Sequence, residues 1–240
     1  MKTHYLLDHE YSVDEDKLFG SMGHLLAFNP GPRDADLDIT LYFEDRDPKT
    51  FPFVAPAGKS SETNYTRWPI EPDVRFALKV ESTEPMVCQS TVGWNNSKND
   101  YSPDAETKSP CGLRECAKSY ISITEPTRQW YLADSTVIDG PGRMYVRESE
   151  WAVLLNPGDQ KATVTLYLHY DEVMKHTIEV SPRRLKIIYM DDIAQRNQHC
   201  GVHFESDQPI AAQWLRAVNW YDNEELMTYW SVPCVPGPLA

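Results

Sequence analysis

Apolar and polar residues alternate with a period of two along much of this chain. Asp36-Leu37-Asp38-Ile39-Thr40-Leu41-Tyr42 does so, and so does Ala162-Thr163-Val164-Thr165-Leu166-Tyr167-Leu168. That period predicts strands with one face in a core and the other toward water. Residues 74–80 and 201–205 continue the pattern, 85–91 and 210–215 follow it more loosely, and 177–180 and 185–190 add two more strands. Turn formers separate these runs: Asn-Pro-Gly at 29–31 and 156–158, Pro56-Ala57-Gly58, Ser181-Pro182, and Glu-Ser-x-x-Pro at 81–85 and 205–209. Gly tolerates positive φ and Pro fixes φ, so these motifs are expected to shape hairpin turns. A helical turn or two is expected only over 190–197; its counterpart, 69–73, is too proline-rich. Many short strands at this spacing predict an all-β, antiparallel sandwich fold.

The pattern is written twice. Asn29-Pro30-Gly31 recurs as Asn156-Pro157-Gly158, Thr40-Leu41-Tyr42 as Thr165-Leu166-Tyr167, and Tyr5-Leu6-x-Asp8 as Tyr131-Leu132-x-Asp134. Glu81-Ser82-x-x-Pro85-x-x-x-Gln89 recurs as Glu205-Ser206-x-x-Pro209-x-x-x-Gln213. Near the ends, Ser119-Tyr120-Ile121-Ser122-Ile123 resembles Thr228-Tyr229-Trp230-Ser231-Val232. Matches in one order at nearly constant offset mark an internal duplication. Two tandem sandwiches are expected, over 1–125 and 126–240. The shorter final offset places an insertion of about fifteen residues in the first copy, near 95–116, as a polar surface loop.

Charge narrows the functions. Acidic residues outnumber basic ones 36 to 23, for a formal charge of −13. Duplex binding needs a positive footprint, so no nucleic-acid partner is expected. No apolar run exceeds five residues (151–155), far short of a bilayer span, so no membrane insertion is expected either. The first residues lack the apolar stretch of a signal peptide, which predicts a cytoplasmic protein. Five cysteines (Cys88, Cys111, Cys116, Cys200, Cys234) read as reduced thiols, although Cys111 and Cys116 lie close enough in sequence to pair under oxidising conditions. Eighteen prolines leave little room for long helices.

The second copy resembles the sensory rhodopsin transducer family, small soluble bacterial proteins. Trp130-x-Leu132-Ala133-Asp134, Glu150 followed by Leu155-Asn156-x-Gly158, Val164-Thr165-Leu166-Tyr167, and Pro209-Ile210-x-x-Gln213-x-x-Arg216 carry the likeness, over about 126–232 and more faintly in the first copy. The resemblance implies a β-sandwich without enzyme activity, binding of small molecules such as sugars or related metabolites, homo-oligomers and a signalling role. It implies no rhodopsin partner for this chain. Two departures stand out. The copies are in tandem, and the Gln-x-x-Arg motif reads Gln89-Ser90-Thr91-Val92 in the first copy, without its arginine.

Sugar recognition needs an aromatic face together with amide, carboxylate or guanidinium forks. Trp130, Asp134, Gln213, Trp214 and Arg216 are the candidate ligand-binding residues of the second copy, with Asp8, Gln89 and Trp94 in the first. Period two puts Trp214 and Arg216 on one face of their strand and Gln213 on the other. No metal or other cofactor is expected: neither His4, Asp8 and His9 nor His199-Cys200-x-x-His203 has the spacing of a known metal motif. There is no Gly-x-Ser-x-Gly elbow, and adjacent His199 and Cys200 point to opposite strand faces, so no catalytic residues are assigned. The function expected is a non-catalytic sensor or transducer that binds a small polar metabolite, a sugar first, with a protein signalling partner and homo-oligomerisation. The alternatives are an enzyme on a sugar-like substrate and an oligomeric structural or adaptor protein.

Overall fold

A computed structural model describes residues 2–11, 20–95, 115–138, 146–220 and 226–237. Its strands alternate buried and exposed residues where the sequence does: Ala35, Leu37 and Ile39 are buried while Asp36 and Asp38 face water. In the first copy, β1 (Lys2–Tyr11), β2 (Gly20–Asn29), β3 (Ala35–Tyr42), β4 (Lys49–Ala55), β5 (Lys59–Asn64), β6 (Val74–Ser82), β7 (Val87–Asn95) and β8 (Glu115–Ile121) form two antiparallel sheets. Their orders are β1-β6-β3-β4 and β5-β2-β7-β8. The second copy repeats the plan with β9 (Thr127–Thr136), β10 (Val146–Asn156), β11 (Ala162–His169), β12 (Val173–Val180), β13 (Arg184–Tyr189), β14 (His199–Trp220) and β15 (Leu226–Pro233), and the short β16 (Val235–Pro236) extends the edge at β9.

The two copies differ in how they change sheets. In the first, Glu-Ser-x-x-Pro breaks the chain between β6 and β7. In the second, β14 runs unbroken for 22 residues, pairing with β9 and β11 through its first part and with β10 and β15 through its second. The motif therefore makes a sheet switch and not the expected hairpin turn. Its serine hydroxyls accept from nearby backbone, Glu84 N to Ser82 Oγ and Gln208 N to Ser206 Oγ, both at 3.3 Å. Asn-Pro-Gly does make a turn, around a buried asparagine. Asn29 Nδ2 donates to Arg33 O and Ala55 O, and Asn156 Nδ2 to Gln160 O and Val180 O; each Oδ1 accepts the Gly31 or Gly158 N–H at 3.0 Å.

Among the described residues, helix is confined to two 3₁₀ turns at equivalent places, Tyr65–Arg67 and Met190–Asp192. The second is shorter than the turn expected over 190–197. The first lies ahead of the proline-rich 69–73, where no turn was expected. The end of the repeat also shifts register. Gln89 stands opposite Ile121 and Gln213 opposite Pro233, so Ser119 corresponds to Ser231 and not to Thr228. The insertion in the first copy is therefore three residues shorter than the sequence match implied. Most of it, with Cys111, lies outside the described residues.

Each sandwich has its own core. Leu6, Leu37, Ile39, Phe43, Phe76 and Leu78 centre the first, and Trp130, Leu154, Val164, Leu166, Phe204 and Trp214 the second. Tyr5, Leu7, Tyr42 and Ala77 point away from the first core and are buried with the second. Gln213 Oε1 accepts the Leu7 N–H at 3.2 Å, and Phe43 O accepts the Leu185 N–H at 3.1 Å. Lys186–Glu44 and Arg184–Asp47 ion pairs and the Arg75 guanidinium over the Trp151 ring complete this contact.

Candidate functional site

Arg216 and Glu150 face each other across β14 and β10, both turned into the second sandwich. A charged pair in phase with Ala152, Leu154 and Trp214 is costly unless it is satisfied. Here it is. Glu150 accepts from the Arg216 guanidinium through Oε1, while Oε2 takes the Ser135 hydroxyl at 2.5 Å and the Thr136 N–H at 3.0 Å. Arg216 Nη2 also donates to Asp134 at 3.2 Å, and Glu148 lies 3.7 Å from Nη1. Asp134 belongs to the opposite sheet. Between Leu132 and Ser135 the β9 register slips against β14, a bulge that re-aims side chains. The network thus clasps the two sheets at one end of the sandwich.

The cluster runs from interior to solvent. Glu150 is fully buried, the Arg216 side chain is 13% exposed, Asp134 53% and His199 77%. The His199 Nδ1 lies 2.9 Å from Asp134 Oδ1 and 2.5 Å from Thr136 Oγ1. Burial pushes the Glu150 carboxyl above its usual range, with Ser135, Arg216 and Thr136 opposing. The His199 hydrogen bond and then Arg216 hold Asp134 below its usual range, against the effect of burial. Burial works against the Arg216 charge, but Glu150, Asp134 and Glu148 outweigh it and hold its pKa above the ordinary value. Three carboxylates around one guanidinium leave this end of the sandwich acidic.

The first copy solves the same positions differently. Strand register makes Gly23 and Val92 the counterparts of Glu150 and Arg216. The Tyr65 ring fills the space that the glutamate occupies in the second copy; a Cβ on Gly23 would stand 1.8 Å from it. Tyr65 hydrogen-bonds the buried His9, the counterpart of Ser135, at 2.8 Å, and His9 stacks on Phe76. Asp8, the counterpart of Asp134, forms a buried ion pair with Lys118, which stands directly opposite Val92 on β8. The cation missing from the Gln-x-x-Arg motif is thus supplied by the neighbouring strand, and burial pulls the Lys118 pKa well down. Among the described residues the first copy presents no open polar cluster at this place.

Of the residues singled out from sequence, Asp134 and Arg216 come together. Trp130 and Trp214 do not join them: Trp130 is 1% exposed and donates to Ile210 O, and Trp214 is 3% exposed beside Phe204. Both are core, because their strand phase points them between the sheets. Gln213 faces the opposite way, as period two requires, and is spent on Leu7 N and Ser231 Oγ. Gln89 holds Ser119 on the outer face of the first copy. Asp8 is sealed with Lys118. The backbone of Trp94 sits in β7 opposite Cys116, and its side chain lies outside the described residues. Sequence reasoning missed Glu148, Glu150 and His199 as site residues. Glu150 was detectable as a carboxylate in phase with core positions 152 and 154. Among the described residues no three His, Cys, Asp or Glu side chains converge as around a metal.

Solved structures similar to this chain include that of Thermotoga maritima 1070, 20% identical, covering 52% of this chain and 94% of that one with a TM-score of 0.40. The Anabaena sensory rhodopsin transducer is 22% identical, covering 44% of this chain and 93% of its own, with a TM-score of 0.34. No curated protein matches. The sequence profile of the family described as Anabaena sensory rhodopsin transducer matches over residues 9–100 and again over 126–232. Matched along most of its length, in two segments of which one falls within the first sandwich and the other spans most of the second, the chain belongs to the Anabaena sensory rhodopsin transducer family.

Proposed function

We propose that the chain is a non-catalytic signalling adaptor whose second copy docks a basic segment of a protein partner. The observation that supports this is the open network at Asp134, Glu148 and His199, backed by Arg216 and Glu150, with its counterpart in the first copy closed by Tyr65 and Lys118. Carboxylates outnumber cations there, and the whole chain carries −13, so electrostatics favour a partner bearing guanidinium or ammonium groups. Membership in a family named for a transducer is consistent with a protein partner. The buried thiols of Cys88, Cys200 and Cys234 are unpaired among the described residues, in keeping with a reducing cytoplasm.

A sugar is the second reading. With Trp130 and Trp214 in the core, its aromatic platform would be the half-exposed ladder Tyr131–His203–Tyr167, with centroids 4.5 and 5.1 Å apart. The two readings separate in one experiment. Anisotropy of a fluorescein-labelled Arg- and Lys-rich peptide is expected to report binding that Asp134→Asn weakens at least ~5-fold. The control Asp38→Asn, with the same charge change on an exposed strand position, leaves it unchanged. Equal weakening by both variants, or none by either, counts against the docking site. A thermal shift with a panel of sugars and sugar acids that survives Asp134→Asn supports the ladder instead.

A further inference from the structure

A groove of about 530 Å³ lies between the two copies. Asp47 and Pro48, from the loop between β3 and β4 of the first copy, form one wall. Ser181, Pro182, Arg183 and Arg184, from the turn between β12 and β13 of the second, form the other. Neither sandwich makes it alone, so the groove belongs to the tandem arrangement. It is also remote from the Asp134 cluster. β10 runs roughly 20 Å between Glu150 and Asn156, and Asn156 stands opposite Arg184.

Two guanidiniums and one carboxylate line the groove. Arg184 Nη2 donates to Asp47 Oδ1 at 2.7 Å and Nη1 to Arg183 O at 3.1 Å, which holds that side chain across the gap. The Arg183 guanidinium has no ion-pair partner among the described residues, in a chain where acidic residues outnumber basic ones 36 to 23. Pro48 and Pro182 have fixed φ and no N–H, so they stiffen the walls.

The backbone at Arg183 adds a second observation. Its φ is +55°, in the left-handed region that a long side chain enters only at a cost. The equivalent residue of the first copy is Gly58, with φ +65°. Gly58 N donates to Gly31 O at 3.1 Å, and Arg183 N to Gly158 O at 3.0 Å. One turn is thus built twice, once with the residue that suits it and once with arginine. The surrounding charge changes in step. In the first copy Asp34 Oδ1 accepts the Ala57 N–H at 2.8 Å. Strand register puts Lys161 and Pro182 at those two positions, and Lys161 pairs with Glu179. The copy with the left-handed arginine has therefore also lost the carboxylate that sits on this turn.

We infer that this groove binds a phosphate-type dianion between the Arg183 and Arg184 guanidiniums, with the Ser181 hydroxyl as a further donor. A guanidinium fork matches an oxyanion through parallel N–H···O bonds. Two forks offer more N–H groups than the two oxygens of a carboxylate can take, which favours phosphate. The strained backbone at Arg183 then has a purpose, since such strain persists where it positions a functional group. The inference stands apart from the docking reading, because none of Asp134, Glu148 and His199 lines the groove.

Amide NMR shifts of the full chain, titrated with inorganic phosphate against chloride at constant ionic strength, test it. Saturable shifts at Asp47, Ser181, Arg183 and Arg184 are expected. Arg183→Gly should weaken binding at least ~5-fold. Its circular dichroism should be unchanged and its melting temperature no lower, because glycine accepts the left-handed φ. Arg33→Gln removes an exposed arginine from the first copy and should leave binding unchanged. Phenyl phosphate separates the two sources of such a group: equal or tighter binding than inorganic phosphate supports an esterified ligand, and weaker binding supports the free ion. The inference is overturned if phosphate gives no saturable shift at tens of millimolar, if Arg183→Gly binds as the wild type does, or if Arg33→Gln loses as much.

Discussion

Arg216 and Glu150 stand directly opposite on β14 and β10, turned into the second sandwich, where the first copy has Val92 and Gly23. One duplicated frame therefore carries two solutions to the same interior position. One is a charge network that reaches solvent through Asp134 and His199. The other is an aromatic plug.

The charge network is expected to behave as a unit. Arg216→Met leaves Glu150 buried without its cation, which should cost about 3–5 kcal/mol in urea denaturation. Adding Glu150→Gln removes the stranded charge, so the double variant should recover about 1–3 kcal/mol relative to additivity. Strict additivity would show that the pair is not coupled.

The plug is expected to be as specific. Gly23→Ala drives a methyl into the Tyr65 ring and should destabilise by about 1–3 kcal/mol or more. Tyr65→Met, which installs the residue of the equivalent position Met190, should relieve most of that cost in the double variant. If Gly23→Ala is as stable as wild type, the ring does not hold the place described.

Acid should act on the first copy through His9. Burial pushes its pKa down to about 3, while the unfolded value is about 6.5. Between those values the unfolded chain holds the proton and the folded chain does not, so stability falls as pH drops from about 6.5 toward 3. The contribution is roughly 3–6 kcal/mol. His9→Phe keeps a ring against Phe76 and removes the titration, so its stability should vary less with pH over that window. Equal slopes for both proteins would remove His9 from the account. Glu150 and Asp134 carry shifts of opposite sign, which work against each other at lower pH.

How far the sequence revealed this follows from what period and repeat can encode. Alternation located the strands, and the recurrence of Asn-Pro-Gly and Gln89/Gln213 located the duplication. The same period placed Trp214 and Arg216 on one strand face and Gln213 on the other. It could not say that the face of Trp214 is the interior, since a sandwich strand has a core on one side and here a second sandwich on the other. The bulge at Ala133–Asp134, which sends an exposed carboxylate to Arg216, leaves no mark in the alternation. Nor does the exchange of Arg216 for Lys118, which moves the cation one strand sideways, a shift visible only once β7 and β8 are in register.

The central claim is that the second copy carries the open recognition site and the first does not. Amide NMR shifts of the full chain, titrated with the unlabelled Arg- and Lys-rich peptide, address it most directly. Saturable changes confined to the neighbourhood of Asp134, Glu148 and His199, and absent around Asp8 and Arg75, are the predicted result. Changes of equal size in both copies, or spread over the acidic surface without saturation, would contradict it.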